Sequence, residues 1–96
     1  MTNVDQFAKD HGMVNALHPQ SWNQFQWEKI FEGGPSILLW SRLGDNIHLQ
    51  LYDSEDSDHA VEIAQAPEFS VLEPVFNSLE TLLSGLYKPA QPVEAA

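Results

Sequence analysis

Apolar positions change period along this chain, and each change marks an element. Over residues 3–11, Val4, Phe7, Ala8 and His11 fall at i, i+3, i+4 and i+7, which predicts a short helix with Thr2 or Asn3 as its cap and Gly12 as its stop. A helix so short must dock to persist. Residues 13–18 read as an apolar connector closed by Pro19. Ser21 with Gln24 three residues later resembles a capping box, and a second helix over residues 21–31 is the preferred reading. Phe25, Trp27 and Phe31 also suit a strand, whose alternation is disturbed at Lys29 and Ile30; Gly33, Gly34 and Pro35 end whichever element forms.

From Ser36 the texture becomes β. Ile37, Leu39 and Leu43 take one side of a strand and Leu38, Trp40 and Arg42 the other, and Gly44, Asp45 and Asn46 make a turn. Residues 47–52 alternate cleanly: Ile47, Leu49 and Leu51 face a core while His48, Gln50 and Tyr52 face away, as in an antiparallel sheet with one solvated face. Residues 60–64 give a third strand, reached through the acidic loop 53–58. Leu72, Val75, Phe76, Leu79, Leu82, Leu83 and Leu86 form a continuous stripe at helical spacing. Its start is left between a Ser70/Glu73 capping box and Pro74 at the first helical position, and Gly85 is its natural stop, with Leu86 folding back on the last turn.

The fold expected is α+β: a small two-layer domain with N-terminal helices, a three-stranded antiparallel sheet, and a C-terminal amphipathic helix packed on the sheet, Val75, Leu79 and Leu82 meeting Ile47, Leu49 and Leu51. Residues 1–87 form the single domain and residues 88–96 a flexible tail.

Composition changes the picture in one respect. Fourteen Asp plus Glu stand against four Lys plus Arg, a formal net charge of −10, although charged residues make up only 19% of the chain. The imbalance therefore comes more from missing bases than from an excess of acids. It disfavours direct binding to DNA, RNA or an anionic membrane and permits attraction to a basic protein. There is no cysteine, hence no disulfide framework or thiolate nucleophile. No stretch approaches a membrane span and no basic, apolar leader opens the chain, so the cytoplasm is the default location.

Candidate chemistry is sparse. The densest constellation is Asp53, Glu55, Asp56 and Asp58, four carboxylates in six residues. Calcium loops of the EF-hand type need Gly at the sixth position and Glu at the twelfth, where this sequence has Asp58 and Ala64. The plain reading is a solvated hairpin connection; the sharper one is an anionic ridge, extended by Glu62 and Glu68, with about 5 Å per charge, comparable with the 3.4 Å spacing along one DNA strand. His11 and His18 lack a third ligand for a metal, no phosphate-cradling loop is present, and no nucleophile elbow appears. Trp22, Phe25, Trp27 and Phe31 crowd into ten residues, more rings than one helix face can bury, so Trp22 or Trp40 is expected at the surface, where an exposed Trp beside acids suits an interface.

The function these features favour is non-enzymatic. A small acidic interaction factor would bind, and inhibit or modulate, a basic and nucleic-acid-handling protein by imitating nucleic-acid charge, in the manner of phage or bacterial accessory proteins. Its partner-binding residues would be Asp53, Glu55, Asp56, Asp58, Glu62, Trp22 and Trp40, with no cofactor and no metal. Two alternatives stand beside it: a small enzyme or ligand-binding domain using His48, Tyr52 and a nearby carboxylate, and a self-associating structural subunit that dimerises through the same Trp and sheet edge.

Overall fold

The computed structural model describes residues 3–53 and 56–90, with 56–59 as backbone only. Helix α1 (Val4–Asp10) forms where the first period predicts it. The Asn3 side chain accepts from the backbone N–H of Gln6, satisfying one of the donors that a helix start leaves free, and the chain reverses at Gly12. A two-residue strand β1 (Val14–Asn15) follows within the expected connector.

Residues 21–31 correct the helix reading. They hold strand β2 (Asn23–Lys29), which pairs antiparallel with β4 (Ser36–Arg42) so that Trp27 lies opposite Leu39 and Gln26 opposite Trp40. Phe25, Trp27 and Lys29 point to one side and Gln24, Gln26 and Glu28 to the other, a period of two that serves a half-buried strand. Ser21 makes no capping box; its Oγ accepts from the N–H of Asn23, a local turn that leads into the strand (3.1 Å). Between these strands Phe31 and Glu32 form a short strand β3.

Strand β4 turns at Gly44, whose positive φ of 81° allows the tight reversal, into β5 (Ile47–Asp53). Strand β6 (Asp56–Ala66) is longer than the expected 60–64 and pairs with β5 through two register irregularities. The main sheet is thus five-stranded, ordered β1-β2-β4-β5-β6, where three strands were expected. Its two extra strands come from the chain segment assigned to a helix and from the connector before it.

Helix α2 (Phe69–Leu86) crosses β5 and β6, beginning three residues before the stripe's first leucine and passing through Gly85. Glu68 is its N-cap without a side-chain cap bond, so the Ser70/Glu73 box does not form, and Pro74 lies inside the helix. The face turned to the core differs from the expected one. Phe69, Leu72, Phe76 and Leu83 are buried, Leu79 is half-buried, and Val75 and Leu82 lie outside. The two phenylalanines set that rotation: Phe7 of α1 packs edge-on against Phe69 and Phe76 at ring separations of 4.7 and 5.0 Å. Both helices then cover Trp27, Ile37, Leu39, Ile47 and Leu49 on one face of the sheet.

A polar clasp joins both helices to strand β2. His11 Nδ1 donates to both oxygens of Glu80 (2.8 and 2.9 Å), and Lys29 pairs with Glu80 (3.2 Å) while donating to the His11 carbonyl. After α2, Lys88–Pro89 form β7 against β3, and Ala90 N–H donates to Ile30 (2.8 Å). The first residues assigned to a tail are thus paired; residues 91–96 lie outside the described ones. Gly34 sits against this exit: a Cβ there would come within 2.7 Å of the Tyr87 ring. Among the described residues no helix is long and apolar enough to cross a membrane.

Candidate functional site

Both helices lie on one face of the sheet, so the strands' alternation leaves the other face uncovered by any described element. Antiparallel pairing arranges that bare face in rows. Gln26, Trp40, His48 and Gln65 stand side by side across four strands, as do Glu28, Leu38, Gln50 and Glu62, and Tyr52 lies opposite Ser36. Most of these side chains are half-buried although no second layer covers them, because each rests on its cross-strand neighbours.

Trp40 and His48 stack with ring centroids 4.3 Å apart, and Trp40 Nε1 donates to Gln50 Oε1 (3.0 Å). His48 Nδ1 donates to Glu62 Oε1, and Gln65 Nε2 donates to the other oxygen of that carboxylate (3.0 Å). Farther along β5, Tyr52 donates its hydroxyl proton across β4 to Glu28 Oε1 on β2. Burial, then the hydrogen bond to Glu28 and its negative charge, raise the Tyr52 pKa well above the ordinary tyrosine range, so the phenol remains a donor.

Gln26, Glu28, Leu38, Tyr52 and Ala60 line an open pocket of about 170 Å³ on this face. Tyr52 and Ala60 are also the residues between which the acidic stretch 53–58 runs. A partly desolvated carboxylate, a phenol and an amide around an apolar floor can hold a small polar group by hydrogen bonds and charge.

Of the residues singled out from sequence, the structure brings Trp40 and Glu62 onto this face, on either side of His48. Trp22 precedes β2 and is 87% exposed. Asp53 ends β5, exposed. Asp56 and Asp58 lie in β6 by backbone, and Glu55 lies outside the described residues, so the ridge as such does too. His48 and Tyr52 share the face but pair with different carboxylates, Glu62 and Glu28. Sequence reasoning missed Glu28, Gln26 and Leu38, the first two because they were placed on a helix; the alternation from Gln24 to Lys29 is the signal that marks them. His11 and His18 stay apart: His11 is engaged with Glu80, and among the described residues no group of three or more potential metal ligands comes together.

No family model, curated protein or solved structure matches this chain. Its chemistry must accordingly be read from the bare face itself, with its two aromatic–carboxylate pairs and its pocket.

Proposed function

We propose that this protein is a non-enzymatic interaction factor that docks a basic protein partner on the uncovered face of its sheet. The observation that carries this reading is that face: a solvent-facing array of Trp40, His48, Tyr52, Glu28 and Glu62 with no described element over it. Large amphipathic rings give contact area at low entropic cost, and hot spots concentrate in such rings. A net charge of −10 selects the sign of the partner and speeds encounter with it. A partner that handles nucleic acid has the basic groove which this charge fits.

The test is capture by the tagged protein from lysate, with and without heparin, beside the variants Trp40→Ala and Glu28→Gln and a charge control away from the face, Glu32→Gln. Expected is a set of basic proteins whose capture is displaced by heparin and lost with the face variants while the control retains it. Capture that ignores both the heparin and the face variants would overturn the reading.

A further inference from the structure

The bare face contains a carboxylate whose setting specifies its counterpart more narrowly than overall charge does. Glu28 is half-buried, it lines the pocket with Gln26, Leu38, Tyr52 and Ala60, and among the described residues no cation is paired with it. Lys29, its neighbour in sequence, points to the opposite face and is engaged with Glu80. A carboxylate taken partly out of water without a positive partner is unfavourable, and a bound cation relieves that.

We propose that this pocket receives an alkylammonium group, the side-chain amine of a lysine on the partner. This rests on the reading of the face as a docking surface for a basic protein. Three acceptors line the pocket. Glu28 offers its carboxylate. Tyr52 directs its proton to Glu28 Oε1, which leaves its oxygen as an acceptor, shared with the Ser36 hydroxyl opposite it. Gln26 keeps its carbonyl oxygen fixed by a hydrogen bond from Asn23 Nδ2 (2.9 Å). An ammonium has three N–H donors to match, while Leu38 and Ala60 give a methylene stem an apolar wall.

A guanidinium fits less well. Its planar fork binds a carboxylate through both oxygens, and here one of the two already accepts from Tyr52. The pocket's volume of about 170 Å³ suits a side chain. Like any tyrosine the Tyr52 phenol is protonated through the physiological range, so it donates to Glu28 and does not add a second negative charge. The net charge of −10 adds a long-range field of the sign that draws a cation in.

The experiment is a ¹H–¹⁵N NMR titration of the intact protein with n-butylammonium, with the neutral n-butanol of equal length as control, and with a blocked tripeptide carrying a central lysine. Saturable shifts centred on Gln26, Glu28, Leu38, Tyr52 and Ala60, with a millimolar dissociation constant for the amines and none for butanol, are expected. Glu28→Gln, checked for an unchanged spectrum elsewhere, should weaken both amines by about tenfold or more, the loss of a charge-assisted hydrogen bond.

Absence of saturable shifts at these residues, or equal binding of butanol, would overturn the proposal. Since these probes act on the wild-type protein, a variant that failed to fold would leave the result intact. Binding of free butylammonium with rejection of the tripeptide would overturn the assignment to a lysine side chain, the occupant then being a small free amine. Heparin-sensitive capture on this face alongside silent amine titrations removes the pocket and keeps the docking surface. Amine binding without face-dependent capture removes the partner and keeps the pocket.

Discussion

Tyr52 shows how one side chain can be tuned by its neighbours across a sheet. It stands at the end of β5, where burial disfavours the phenolate and Glu28, two strands away, both accepts its proton in a hydrogen bond and repels the anion. Each effect favours the neutral form, so the folded-state pKa lies above the unfolded value of about 10. The linkage has a definite sign: this contribution to stability is complete below pH 10 and falls away as pH rises from there toward the folded value. Spectrophotometric titration of tyrosinate should show Tyr52 ionising later than a free tyrosine, with urea stability declining over the same range. In Tyr52→Phe the late wave disappears and the decline is reduced; if wild type and variant follow the same alkaline curve, the Glu28 contact is not formed.

Among the elements, α2 invites the sharpest check, because its rotation differs from the one its sequence suggests. Phe76 is fully buried and Leu82 is 61% exposed, although both belong to the same apolar stripe. Truncating Phe76 to Ala should cost about 3–5 kcal/mol, and Leu82 to Ala within about 0.5 kcal/mol of zero, both read from urea denaturation. Comparable costs would mean that the helix lies as the stripe alone implies. The stripe was legible because its period is strong. Which part of it faces the core was not, since that depends on where Phe7 of α1 and the large rings of Phe69 and Phe76 interlock.

Legibility elsewhere follows the same division between local and long-range causes. The capped first helix, strands β4 and β5 and the Gly44 turn could be read from spacing and turn chemistry, as could the outward direction of His48, Tyr52 and Trp40. Strand β2 could not, because Phe25, Trp27 and Phe31 satisfy both periods in isolation. Only pairing with β4, which without β2 would be a bare edge, decides for the strand. With β2 lost to a helix, Glu28 was lost from the site.

At the scale of the whole molecule, charge and topology each have a consequence. Of the four Lys and Arg, Lys29 is engaged by Glu80, so much of the negative charge goes without a local counter-charge. Self-repulsion of this kind destabilises a compact state and is relieved by salt. Raising the ionic strength from about 0.01 M to 0.15 M, which shortens the screening length from about 30 Å to about 8 Å, should raise the melting temperature by a few degrees. A fall in melting temperature would assign more of the stability to ion pairs such as the Glu80 clasp.

Chain order matters as much as charge. Strands β4, β5 and β6 join neighbours through short reversals, and β2 reaches β4 across only a few residues. The longer of the two helices that cover their apolar face, α2, comes after all of them, and the clasp between His11 and Glu80 spans 69 positions. Pairings so close in sequence close early in folding, while contacts so far apart must wait for the rest of the chain. During synthesis, then, the sheet's oily side is complete before its main cover exists, and a nascent chain that has reached Ala66 has every strand of the main sheet but only the seven residues of α1 to shield Trp27, Leu39 and Leu49 from neighbouring chains.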